Sequence, residues 1–290
     1  MDIQQLLNGI SLGAVYALIA VGFALVFTVL KFSNFSHGGV ITLSAYFGYY
    51  YATALKLSLI PTVLLSAVTG GLAGIVVEIV AFRRIRKKHS PSIYYFVSSI
   101  TMGMLLENLI TIYRGSTFYA FPKMIQTVTL RWGDLRMPVL NLIMLGVSLV
   151  TLVLFILFLY KSRPGLAIRA AALDIDTASL MGSNVNATIM LVFFLAGALA
   201  GISGVFLGVK YMLTPQLGQL VVKGFIASVI GGLGSIGGAV AGALLLGMIE
   251  VILVEYIGSG LSPVVIFCLF LLFLLFRPQG IAGKGVAEKA

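Results

Sequence analysis

The stretch VVKGFIASVIGGLGSIGGAVAGALLLGMIEVILVEYIGSGLSPVVIFCLFLLFLLF, residues 221–276, is apolar almost without a break. A helix crosses hydrocarbon with about 20 apolar residues, so this run holds between two and three such lengths. Glycines, Glu250, Glu255 and the group Gly258-Ser259-Gly260 interrupt it. Arg277, Lys284 and Lys289 follow, and basic residues mark the cytoplasmic flank of a membrane span. With that end in the cytoplasm, an odd number of passes fits between Tyr211 and Phe276. Three fit only if they are short, at 221–232, 236–256 and 261–276. The first of these is a partial span, because unpaired backbone groups in lipid cost several kcal/mol unless protein covers them.

The rest of the chain is of the same kind. Of its 290 residues 60% are hydrophobic and only 10% charged, with a mean hydropathy of +1.09. A soluble domain is about a quarter charged, so hydrocarbon must solvate much of this exterior. Five further segments reach spanning length: 7–30, 61–82, 92–113, 138–160 and 187–209. A sixth, 38–55, is shorter and rich in Tyr, Thr and Ser. The expected fold is an all-α polytopic membrane protein with eight or nine transmembrane segments, some short or broken, forming one domain over 1–290. The 33 glycines sit inside the apolar runs, where small residues let membrane helices approach closely. Residues Met1 to Asn8 carry no basic side chain, so the first span reads as retained and not as a cleaved signal.

Charge sets the orientation. Arg83, Arg84, Arg86, Lys87 and Lys88 crowd one short loop, which places it in the cytoplasm. Counting outward, residues 161–186 are also cytoplasmic, whereas Arg114 to Met137 and the N-terminus face outward. The formal charge of +10 is thus a topology signal, and no nucleic-acid partner is implied. Cys268 stands alone, which excludes an internal disulfide. The two histidines, His37 and His89, lie too far apart in sequence to suggest a metal site, and no metal or cofactor is expected on this chain.

Candidate functional residues fall in three places. Asn34, Phe35, Ser36, His37 and Gly38 follow one span with almost no linker and open the next. This is either a tight turn or a discontinuous helix beside a substrate path, where freed backbone groups can meet a ligand. The glycine-rich run 231–238 is a second irregular point, and its Gly237-Gly238 pair with Gly247 echoes Gly38-Gly39 with Gly48. Acids inside apolar segments each cost about 2.5–3.5 kcal/mol at a bilayer centre, which singles out Glu78, Glu107 with Asn108, and Glu250. Glu78 lies close enough to Arg83 to anchor a helix end. Glu107, Asn108 and Glu250 join the candidate path, or else form bonds between helices.

The third place is the cytoplasmic loop 161–186. Pro164 and Gly165 open it, and the run through Arg169, Ala170, Ala171 and Ala172 favours helix. Asp174 or Asp176 can cap a second short helix through Ala178 and Leu180, and Gly182 can end it. Leu166, Ile168, Leu173, Leu180 and Met181 would then be on offer to a soluble partner.

Taken together, 13–18 (GAVYAL), Asn34 to Gly38, Arg169 to Gly182, 223–227 (KGFIA), the 231–238 run and Arg277-Pro278-Gln279-Gly280 resemble the smaller permease subunit of branched-chain amino acid ABC importers. Ser36 and Gly224 stand where members of that family usually carry Ala. The resemblance implies a type II ABC importer-like permease in the bacterial inner membrane, working as a heterodimer with a homologous permease. It implies two partner ATPase subunits that use ATP and Mg, and an extracytoplasmic binding protein that delivers substrate. It also implies that Gly165 and the Arg169 to Gly182 segment dock the ATPase, in keeping with the lack of a phosphate-binding loop in this chain. The same scaffold serves urea and short-chain amides. A stand-alone secondary transporter or channel driven by Glu107 or Glu250 is the competing class, and it would have no use for a docking loop.

Overall fold

The computed structural model describes residues 3–88, 90–124, 129–132 and 135–282. His89, Lys284 and Lys289, used above, lie outside the described residues, as do the side chains of Arg131 and Arg136. Among the described residues eleven α-helices run in the order α1 (Ile3–Leu30), α2 (Ser36–Thr53), α3 (Leu59–Val77), α4 (Arg83–Lys87), α5 (Ser92–Arg114), α6 (Val139–Lys161), α7 (Arg163–Leu173), α8 (Ile175–Leu180), α9 (Val185–Tyr211), α10 (Val221–Gly231) and α11 (Ile236–Phe276). Six of them are long and apolar enough to cross a membrane. The all-helical expectation missed one antiparallel hairpin, β1 (Thr129–Trp132) with β2 (Leu135–Pro138).

Residues 221–276 fold as their interruptions require. A straight helix the length of α11 would measure about 60 Å, twice the hydrocarbon thickness. Instead Gly258 leaves the helical region at φ 82° and ψ 163°. Leu245, Leu246 and Ile249 before the break and Ile266, Leu269, Phe270 and Phe273 after it surround one cavity of about 210 Å³, so the two halves lie antiparallel.

The chain forms two compact units, each discontinuous in sequence. The first comprises residues 1–24, 127–148 and 222–290. Its helices touch at glycines. A Cβ on Gly13 would lie 2.8 Å from the Leu244 backbone, and one on Gly224 would lie 2.5 Å from the Ile19 side chain. Gly231 and Gly238 face each other so closely that each leaves no room for a Cβ on the other. The last turn of α10 has orphan carbonyls, and residues beyond α11 satisfy them. Ile281 N–H donates to the Ile230 carbonyl (2.8 Å) and Ala282 N–H to that of Gly231 (3.0 Å). Arg277 to Gly280 makes that return turn, with Gly280 at φ 77° packed on Gly232.

The second unit, residues 25–126 and 149–221, is built on the crossing of α3 with α9. A Cβ on Gly197 would fall on the Gly70 carbonyl, and one on Gly201 on that of Ser66. Backbone contact this close replaces the hydrophobic drive that lipid cannot supply. We expect Gly197→Leu to destabilise the unit by more than about 3 kcal/mol, since backbone cannot yield as a side chain does. Loss of the monodisperse peak of the detergent-extracted protein on size-exclusion chromatography would show it.

The ends of the helices are grouped as the basic residues anticipate. At one end of this unit Lys31 Nζ donates to the Ala172 carbonyl (3.2 Å) and Arg86 to Asn186 Oδ1 (2.9 Å). At the other, Tyr119 and Leu213 exchange both backbone hydrogen bonds. In the first unit, Asn141 donates to Asn8 Oδ1 (2.8 Å), joining the starts of α6 and α1.

Candidate functional site

Residues 31–35 do not form a tight turn at a helix end. Lys31 closes α1 in the left-handed region (φ 57°), and the chain then runs without helix to the start of α2. That start lies against the centre of α5. A Cβ on Gly39 would meet the Gly103 carbonyl and Leu106 at 3.0 Å, and Gly103 is the middle residue of α5, about 16 Å from either end. Irregular backbone at such depth persists only where protein satisfies it. Ser99 of α5 does this, its hydroxyl oxygen accepting from Phe35 N–H (3.3 Å) while its proton goes to the Phe96 carbonyl (2.7 Å), with the Ser33 carbonyl 3.4 Å away. Asn34 Oδ1 accepts from the Ser36 N–H (3.2 Å) and hydroxyl (2.5 Å), fixing the entry into α2. Phe32 packs tilted against the stacked pair Phe82 and Tyr95, with ring centres 5.0 and 4.9 Å away.

A second interrupted segment reaches the same point from the opposite end. After the Tyr119–Leu213 bridge the chain descends through a 3₁₀ turn, Pro215–Leu220, into the start of α10. Gly218 meets Gly38 there so closely that neither admits a Cβ, and Gly218 N–H donates to Thr42 Oγ1 (2.8 Å). Asn34, Ser36 and His37 are buried beside this crossing, and among the described residues His37 Nε2 has no hydrogen-bond partner. Gly38 and Gly238 are each the third residue of their helix (α2 and α11); Gly38 packs on Gly218 of the later 3₁₀ turn, and Gly238 on Gly231 at the end of α10.

Of the acids, Glu78 is wholly buried and paired with Arg83 (2.9 Å) and Arg86 (2.6 Å), the helix-end anchor expected. A π-helical turn, Glu78–Phe82, brings a residue five positions on to the same face. Glu250 lies at the centre of an arrangement that sequence reasoning missed. Lys223 Nζ sits 2.6 Å from Glu250 Oε1 and 3.1 Å from Tyr16 Oη, and the Tyr16 hydroxyl donates to the same carboxylate (3.2 Å). Tyr16 and Lys223 stand in two of the stretches that carry the family resemblance. Glu107 is half-buried on α5 and Asn108 is exposed, its amide donating to the Met104 carbonyl (2.8 Å). Both belong to the unit that holds Asn34 to Gly38; Glu250 belongs to the other.

The loop 161–186 folds into α7 and α8. Ser162 caps α7 by accepting from Gly165 N–H (3.0 Å), with Pro164 in the first turn. Gly165 lies where a Cβ would strike the Leu159 carbonyl, and Arg169 lies over the Tyr160 ring at 5.1 Å. Asp174 caps α8 by accepting from Thr177 N–H (2.6 Å), which holds its carboxyl below the usual range. Asp176 is exposed in the first turn, and Gly182 (φ 86°) turns the chain out of α8. Ala170 and Ala172 are half-buried. Leu173, Leu180 and Met181 are 84–89% exposed and Leu166 is 59% exposed. Ile168 corrects the sequence reading: with Ala171 and Ala178 it is buried, so it holds the loop to its own fold and offers nothing to a partner. Leu166, Leu173 and Met181 line a groove of about 440 Å³ between the two helices.

Known proteins match this chain over nearly its whole length. At 16% identity and a TM-score of 0.52, the fold is similar to a chain of PsaBC from Streptococcus pneumoniae solved in complex with Fab, covering 95% of this chain and 91% of that one. In sequence the chain is 35% identical to the high-affinity branched-chain amino acid transport system permease protein BraD of Pseudomonas aeruginosa, over 99% of this chain and 97% of the relative. It is 34% identical, with the same coverage, to LivH of Escherichia coli K12. A probable branched-chain amino acid transport permease protein of Methanocaldococcus jannaschii is 27% identical over 92% of this chain and 88% of its own. The model of the branched-chain amino acid transport system permease component matches residues 5–275, and the chain belongs to that family.

Proposed function

We propose that this chain is a transmembrane permease subunit of an ATP-driven importer and forms part of the translocation path for branched-chain or other aliphatic amino acids. The observation that carries the reading is the α7–α8 pair. Leucines and a methionine held out at 59–89% exposure, beside a groove and on a well-capped scaffold, suit docking to a soluble protein. The relatives, which are branched-chain amino acid transport permeases, support the same reading over urea or amide import. In it the whole chain is one permease domain, and residues 161–186 dock one of two partner ATPase subunits, which hydrolyse ATP with Mg. A homologous permease completes a heterodimer in the bacterial inner membrane, and an extracytoplasmic protein delivers substrate. The path runs by the interrupted segments at Asn34, Phe35, Ser36, His37 and Gly38, with Glu107 and Asn108 beside it. Glu250 contributes through its pairing with Lys223.

Uptake of radiolabelled leucine and urea in a strain deleted for the corresponding subunit tests this. Restoration of ATP-dependent leucine uptake, without urea uptake, is expected. Recovery of the chain as an active transporter free of ATPase subunits would sink the proposal.

A further inference from the structure

Two hydrogen bonds fasten the loop 161–186 to neighbouring parts of the second unit. Ala172 belongs to the last turn of α7, whose final carbonyls lack partners within the helix. Lys31 Nζ reaches this one from the end of α1 (3.2 Å), and a cation is favoured at a helix C-terminus. Lys31 itself sits in the left-handed region at φ 57°, which a residue with a Cβ adopts only at a cost and which gathers at switch points. At the far end of the loop, Asn186 in the first turn of α9 accepts from Arg86 (2.9 Å), whose other terminal nitrogen pairs with the buried Glu78.

The two ties converge on one aromatic cluster. Phe32 follows Lys31, and Phe82 ends the π-helical turn that Glu78 begins; their ring centres are 5.0 Å apart. Phe82 also meets Phe193 of α9 at 5.4 Å, and both Phe32 and Phe82 are buried. From Phe32 the chain runs without helix to Phe35, which Ser99 holds beside the middle of α5. Close-packed rings pass on a displacement because they have no free volume to absorb it. A short stretch without a helical ladder is where a hinge can turn.

We propose that Lys31 is a positioning residue for transport: it fastens the end of α7 to segment 32–35, so that a displacement of the α7–α8 pair shifts the start of α2 on the translocation path. Arg86 and Asn186 tie the loop's other end to the Phe82 side of the same cluster. The inference rests on the reading of α7–α8 as the ATPase dock and assigns the step that follows docking.

The test uses the assembled importer in liposomes, with its binding protein and leucine, and reads leucine transported per ATP hydrolysed. Lys31 is exposed, so replacing it leaves the core intact. Lys31→Asn keeps a residue that tolerates the left-handed turn but is too short to reach α7. It should lower the ratio by about fivefold, as expected for one lost contact between a cation and a helix end, with ATPase subunits co-purifying as in the wild type. Lys31→Arg keeps a donor of similar reach and should hold the wild-type ratio. Asn186→Ala removes the second tie, spares the Glu78 pairing and should lower the ratio less. An unchanged ratio in Lys31→Asn would overturn the proposal. So would a loss of uptake matched by an equal loss of ATP hydrolysis or of bound ATPase, which would make Lys31 no more than a cap on α7. Failure of the docking reading itself is read separately, as retained uptake in Leu180→Asp.

Discussion

Leu180→Asp is expected to abolish ATP-driven leucine uptake while leaving the permease folded in the membrane. Leu180 is 88% exposed at the end of α8, so the isolated chain loses nothing when it changes. In the assembled importer the same position would be covered, and burying a leucine contributes about 1.5–3 kcal/mol. An unpaired carboxylate there adds a desolvation penalty that the surrounding Leu173 and Met181 cannot offset. The two measurements are transport in whole cells and recovery of ATPase subunits with the tagged permease. Both should fall to background while the amount of membrane-inserted permease stays constant. Retained uptake would remove the docking role from α8. Ala171 and Ala178 are poor sites for this experiment despite lying in the same segment. They are the buried residues of α7 and α8, and a charged residue there would disturb the loop's own packing.

The second large effect concerns Glu250. Lys223→Met leaves its carboxylate buried beside Tyr16 with no countercharge, and breaking a buried ion pair in this way destabilises by about 3–5 kcal/mol. Replacing both charges removes the desolvation penalty together with the attraction. Lys223→Met combined with Glu250→Gln keeps an acceptor for the Tyr16 hydroxyl and should recover most of the lost stability. Thermal melting of the purified protein in detergent should therefore rank wild type and double variant together, well above Lys223→Met. If the single and double variants melt alike, the pair contributes no specific stabilisation, and Glu250 must be held by something else.

The outline of these helices was legible in the sequence because hydrocarbon imposes a length, and hydropathy reads that length directly. The ends of α1, α5 and α9 fall within a few residues of where apolar runs stop, and even the division of residues 221–276 followed from parity and glycine placement. The α7–α8 pair was legible for a different reason. Its cap at Asp174 and its stop at Gly182 act over three or four residues, so that signal lies within reach of a local reading, whereas the Ser162 cap of α7 went unread. What sequence did not disclose was depth and long-range pairing. Nothing at Asn34 to Gly38 says that α2 begins beside the centre of α5, because that depends on Gly39 meeting Gly103. Lys223 stood in the sequence only as part of the 223–227 stretch, and its partners stand 27 and 207 residues away. Arg277 to Gly280 was visible as a motif without a task, which emerged only when Ile281 and Ala282 were seen closing the last turn of α10.

The break at Gly258 bears on how the chain enters its membrane. The two halves of α11 are joined by a single non-helical residue, so no polar loop separates them for the insertion machinery to hold on one side while the second half is made. Residues before the break and after it line one cavity. The pair should therefore partition into the bilayer as one unit during synthesis, and truncation of the nascent chain between Gly258 and Phe276 should leave the first half poorly retained.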